Sequence, residues 1–305
     1  MELKEIFAFF VDYILAPLVL SLGLFGNLIS LKVINGKKFR NVGPNEVYRF
    51  LFILDTLYLL QIIIVYCEYA FMLDVTILSD ISCKIYIYFS YAFDAISCWF
   101  LVYISIEKYL SICCTNKIFM RRMRKKRIQF IYMVSVFVFI CSVYIIESFC
   151  FELMNLNAYS NETNTTPLMY CNFIDYELQL VSSYLDLFFR VFLPFILMLT
   201  FSFLIIYSVF KSRNRVSDSV QETKRLKRDI RFAVMSLSIN FVFMSLNLPF
   251  SIVLFLPDYY AQTLYFLTFY LFFFSYGVNF YIMILVNSKF KEEFYNIFCK
   301  KKSQT

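Results

Sequence analysis

Seven apolar runs, each long enough to cross a membrane, govern what this chain can fold into. They are Val11–Ile34, Val47–Leu73, Ser82–Cys113, Ile128–Phe151, Leu178–Phe210, Ile230–Leu256 and Ala261–Val286. A helix needs roughly 20 mostly apolar residues to span the hydrocarbon core of a bilayer. Strands of a membrane barrel give alternating segments of about ten residues, whereas these runs are continuous. In lipid every backbone N–H and C=O must be bonded within its own segment, so helices are expected. The expected fold is therefore an all-α membrane protein: a seven-transmembrane helix bundle with a short amphipathic eighth helix at Ser288–Cys299. Residues 1–10 form a short leading segment, 11–286 the bundle, and 287–305 the amphipathic helix with a basic tail. The first run is too long for a signal-peptide core and has no small-residue cleavage site.

Charge orients the bundle. The net charge of +7 does not point to nucleic acid, because the basic residues sit in particular loops. Of the 29 Lys and Arg, all but Lys4, Lys84 and Arg190 fall in one alternating set of loops, in the tail, or at the adjoining helix ends. Cytoplasmic loops carry such an excess, which places the N-terminus outside the cell and the C-terminus in the cytoplasm of a multi-pass plasma-membrane protein. The glycosylation sequons at Asn161 and Asn164 lie in a loop assigned to the outer side. The outer loops and helix ends are also acidic, with Glu68, Asp74, Asp80, Glu147, Glu152, Glu162, Asp175, Glu177 and Asp258. Such a rim either merely solvates the loops or attracts a cationic ligand.

Charged groups in hydrocarbon are costly and mark function. Asp55 lies mid-helix in the second run. In the third, Asp94 shares one helical face with Ser90 and Ser97, four residues before and three after it. In the fifth, Asp186 and Arg190 stand one turn apart before Pro194. They either satisfy one another as an ion pair, or Arg190 or Asp94 faces a ligand cavity. Cys83 and Cys171 both face the oxidising side, where a disulfide between them fits, with Cys150 a competitor for the same bond. Cys299, just before three lysines, suits palmitoylation. There are no histidines, which removes the commonest general base and metal ligand. With no Walker motif, zinc motif or nucleophile elbow either, an enzyme is not expected. A transporter would show internal repeats or paired interrupted helices, and neither is present.

The chain resembles rhodopsin-like G-protein-coupled receptors over nearly its whole length. Gly26-Asn27 is similar to the family's first-helix pair, and Leu54-Asp55-Thr56-Leu57 to its second-helix aspartate region. Cys83 stands 25 residues before Lys108, the family's spacing from its third-helix cysteine to the arginine of Asp-Arg-Tyr; here the triplet is Glu107-Lys108-Tyr109. Pro194, the Phe243 and Pro249 frame, Asn279 and Phe290 fit helices five to eight. The departures are Lys108 for the arginine, Asn247 for the sixth-helix tryptophan, Phe280 for the seventh-helix proline and Met283 for the tyrosine that follows. Leu246 to Pro249 and Asn279-Phe280-Tyr281 look like divergent invertebrate neuropeptide receptors of the FMRFamide type.

The resemblance implies a receptor that binds an extracellular peptide or small molecule and activates a heterotrimeric G-protein by opening the inner ends of helices three and six. It implies a ligand pocket built from Glu68, Ser90, Asp94, Glu147, Asp186, Arg190 and Asn247. It implies a switch at Glu107, Lys108, Tyr109, Asp229, Asn279 and Met283, closed by a Lys108–Asp229 contact. It also implies a Na+ pocket at Asp55, Ser97, Ser275 and Asn279, and no other cofactor. Amine receptors carry an aspartate where this chain has Ser90, and opsins a seventh-helix lysine that it lacks. With a leading segment of about ten residues, a short cationic peptide is the expected ligand. The alternative is a chemosensory or decoy receptor that couples weakly through the altered switch.

Overall fold

In a computed structural model, residues 11–36, 45–71, 74–113, 125–155, 169–213, 220–253 and 258–298 are described. The first span is a π-turn at Val11–Leu15 that runs into α1 (Ala16–Ile34). The second is α2 (Asn45–Leu59) and α3 (Gln61–Phe71), broken at Leu60. There Thr56 turns its hydroxyl back onto the Phe52 carbonyl at 2.6 Å, a bond that bends helices. The third is α4 (Asp80–Cys113) and the fourth α5 (Lys126–Ser148). The fifth combines α6 (Tyr176–Asp186), a π-turn at Leu187–Phe192 and α7 (Leu193–Arg213). The sixth is α8 (Val220–Val253), the seventh α9 (Asp258–Ser275) and α10 (Asn279–Val286), and α11 (Ser288–Phe298) follows.

Among the described residues, five helices are long and apolar enough to cross a membrane alone, and the bent pair in the seventh span, at 54°, is long and apolar enough for a sixth crossing if it is one span. The shorter apolar stretch Leu237–Val253 lies in α8. Large apolar side chains such as Phe139, Phe203, Phe241 and Leu285 are exposed around the bundle, as lipid-facing groups are. The interior is filled instead by aromatics, with Tyr103, Tyr270, Tyr276, Phe52, Phe100 and Phe290 fully buried.

Two details depart from the expected runs. The fourth span stops at Ser148, and Phe151 opens a two-stranded antiparallel hairpin of β1 (Phe151–Asn155) and β2 (Met169–Phe173). Cys171 in β2 is bonded to Cys83 at the start of the third span, with Cα atoms 5.6 Å apart. Leu153 N–H donates to Asp80 at 3.3 Å, a second tie between hairpin and third span. Cys150, the competitor for that bond, is a free thiol.

The seventh span breaks at residues 276–278 without the family's proline, since Phe280 occupies that place. Glycine does the work. A Cβ on Gly277 would stand 2.4 Å from the Gly23 Cα, so only glycine allows the first and seventh spans to approach here. The Tyr276 carbonyl near the break accepts from Asn27 Nδ2 at 3.0 Å. Asn287 then caps α11, its Oδ1 accepting from Lys289 and Phe290 N–H at 3.1 and 3.3 Å.

Candidate functional site

Pro194 shapes the site from a distance. It has no N–H and its ring crowds the carbonyl four residues earlier. The chain widens into a π-turn over Leu187–Phe192 just before it, the kind of local change that absorbs such a kink. Asp186 and Arg190, before and within that turn, are both turned into the bundle and buried.

There Arg190 bridges two carboxylates. Nη1 donates to Asp94 of the third span, while Nε and Nη2 donate to Asp186 at 2.8 and 2.7 Å. Asp94 also accepts from the Tyr276 hydroxyl of the seventh span, and Asp186 from Tyr144 of the fourth at 2.8 Å. The guanidinium lies 5.7 Å from the Phe272 ring centroid, within cation–π range. One cation with two carboxylates thus binds four spans together. Asp186 and Arg190 are an ion pair, and with Asp94 they face a cavity.

That cavity is about 890 Å³ and reaches Phe173 of the hairpin. Its lining includes Ser90, Asp94, Glu147, Asp186 and Arg190, joined by Tyr58, Gln61 and Phe173. An aromatic wall of Phe250, Tyr265, Phe269, Phe272 and Phe273 completes it. Ser90 donates to Gln61 Oε1 at 3.0 Å. Glu147 accepts a hydrogen bond from Ser182. Elsewhere on the acidic rim, Asp74 accepts from the Thr76 N–H at 2.7 Å, and Asp80 pairs with Lys84 at 2.5 Å. Asn247 lies elsewhere, beside a separate void of about 20 Å³ that also touches Arg190. It donates to Ser275 Oγ at 2.9 Å and to the Phe243 carbonyl at 2.6 Å, so it joins the sixth span to the seventh. The side chain of Glu68 lies outside the described residues.

The sequence pattern of the 7 transmembrane receptor (rhodopsin family) matches residues 27–287. The chain belongs to this family. No individual curated protein matches it. It is thus a G-protein-coupled receptor, of a family of receptors rather than enzymes.

In the receptor's opposite half, Lys108 is buried with its ammonium 3.5 Å from Glu107. Tyr109 packs on Phe201 with ring centroids 5.5 Å apart, and Met283 is buried, its carbonyl accepting from the Asn287 N–H at 2.9 Å. The Asp229 side chain, Asn161, Asn164 and Cys299 lie outside the described residues. Asp55 is buried mid-bundle and accepts from Asn279 Nδ2 at 3.3 Å. Ser97 is within hydrogen-bonding reach of the Asp55 carboxylate, and Asn279 Oδ1 and Asn27 Oδ1 are buried without a hydrogen bond. Ser275 differs, since it is taken by Asn247. Buried oxygens gathered at a carboxylate are ones that an ion can satisfy, and Asp55, Ser97 and Asn279 are the residues that would hold the Na+ the family implies.

Sequence reasoning passed over several residues that the fold brings into play. Tyr276, Tyr144 and the aromatic wall complete the cavity. Asn240 donates to Ser105 Oγ at 2.9 Å and Ser202 Oγ at 3.2 Å, fastening the sixth span to the third and fifth. Among 24 tyrosines nothing local singles out two. Asn240, an amide inside an apolar run, carried the same signal as Asp94 and could have been found.

Proposed function

We propose that the receptor lies in the plasma membrane with its disulfide end and N-terminus outside and its C-terminus in the cytoplasm. In this reading residues 11–286 are the receptor bundle, and the described cavity takes an extracellular ligand carrying positive charge, a short peptide or a small molecule. The observation that carries it is the cavity's charge: among its described lining residues, three carboxylates face a single cation, Arg190. Cavities lined by one sign of charge concentrate ligands of the other. Their aromatic walls supply the apolar contact that a ligand body needs.

Ligand binding then biases a two-state bundle. The opposite ends of the third and sixth spans separate and admit a heterotrimeric G-protein beside Glu107, Lys108 and Tyr109. A Na+ at Asp55, Ser97 and Asn279 would neutralise a buried carboxylate in the resting state. Within the family, the segments Leu246 to Pro249 and Asn279 to Tyr281 make amidated Arg-Phe peptides the first compounds to try. A second reading, a receptor that binds but couples weakly, is favoured by Lys108, a point charge without the arginine fork.

The test is a screen of cationic peptides and amines in transfected cells, read by G-protein dissociation, with a Lys108→Arg variant alongside. Dissociation in the parent supports the coupled receptor. Dissociation in the variant alone supports the weakly coupled one. Silence in both overturns the coupling claim.

A further inference from the structure

The three carboxylates of the cavity are not equivalent. Asp94 and Asp186 are both committed: each binds Arg190, and each accepts a tyrosine hydroxyl, from Tyr276 and Tyr144 respectively. Asp94 also receives the Cys98 thiol at 3.7 Å. Glu147 has only a hydroxyl, that of Ser182, among its described hydrogen-bond partners. A neutral donor solvates a carboxylate without neutralising it, and a lone charge inside a bundle is costly. Two further features make this place negative. The Arg190 cluster keeps one carboxylate charge in excess. Glu147 also sits in the last turn of α5, where the helix dipole adds partial negative charge and favours a cation.

The same cavity carries an aromatic wall from the sixth and seventh spans, with Phe250, Tyr265, Phe269 and Phe272. Such faces attract cations and apolar bodies alike. We infer that Glu147 is the docking carboxylate for the ligand's cation, a guanidinium or ammonium joined to an aromatic or branched apolar body, while Asp94 and Asp186 serve Arg190. The assignment rests on the cavity being the ligand site. It also divides the carboxylates by role. Removing the charge of Asp94 or Asp186 disturbs the bundle, whereas removing that of Glu147 leaves the bundle intact and changes what binds.

The experiment uses the full chain in lipid nanodiscs and two isosteric probes, phenethylguanidine and the uncharged phenethylurea, with binding read by thermal shift over a concentration series. A charge-assisted contact separates such a pair by about tenfold or more. The parent should prefer phenethylguanidine by that factor. Glu147→Gln should reduce the preference to less than about twofold while unfolding at the parent's temperature, and the control Glu152→Gln should keep it. A preference that survives Glu147→Gln overturns the assignment. If both probes saturate the parent equally, the cavity stands as a ligand site and Glu147 alone is refuted. If neither binds, both readings fall.

Discussion

Two polar clusters cross the interior of this bundle, and they are built from opposite materials. Near the disulfide end, Arg190, Asp94 and Asp186, with Tyr144 and Tyr276, bind the third, fourth, fifth and seventh spans through charge. Deeper, Asn240, Ser105 and Ser202 bind the sixth span to the third and fifth through neutral hydrogen bonds alone. Removing one partner of a buried ion pair costs about 3–5 kcal/mol because the other charge is left stranded. A neutral buried hydrogen bond is worth only about 1 kcal/mol net. The first cluster therefore holds its spans more firmly than the second holds the sixth, and in the proposed mechanism the second is the clasp that ligand binding opens. The sixth span is absent from the first cluster's hydrogen bonds and present in the clasp. That is the arrangement expected of a bundle in which this span moves.

The difference can be broken at several points. Arg190→Met should have the largest effect, a loss of about 3–5 kcal/mol that keeps the receptor from the cell surface. Surface labelling and thermal unfolding in nanodiscs would show it. The triple change Arg190→Met, Asp94→Asn and Asp186→Asn should recover part of the loss, because no charge is then stranded. Cys171→Ser releases a loop closed across 88 residues, a loss of about 2–4 kcal/mol seen in the same unfolding measurement. Asn240→Leu should cost only about 1 kcal/mol in stability. Its larger consequence is functional, a rise in ligand-free G-protein activation as the sixth span loosens. Ser90→Ala, which frees Gln61 at the cavity wall, should change unfolding by less than about 1 kcal/mol and serves as the baseline.

The helical membrane bundle was readable in advance, because hydropathy acts on long windows and does not depend on partners far along the chain. The Asp186–Arg190 pair was readable for a similar reason: a turn's spacing and a following proline are local facts. Their third partner, Asp94, stands 96 residues from Arg190, so only the fold reveals that it joins the pair. The hairpin was hidden because Phe151 continues an apolar run and strand pairing with Phe173 is not a local property. The break in the seventh span was hidden because attention goes to proline. Here the constraint is a steric one, Gly277 against Gly23, and with five glycines in the whole chain the signal was available.

In the proposed mechanism the Asn240 hydrogen bonds to Ser105 and Ser202 restrain the sixth span of this receptor. The most direct measurement is guanine-nucleotide exchange by purified heterotrimers over nanodiscs that hold either the parent or Asn240→Leu, with no ligand added. Exchange should be several times faster with Asn240→Leu than with the parent for at least one heterotrimer, with no such rise for Ser90→Ala. Equal exchange with both proteins across every heterotrimer class, in a variant that folds normally, would contradict the proposed mechanism.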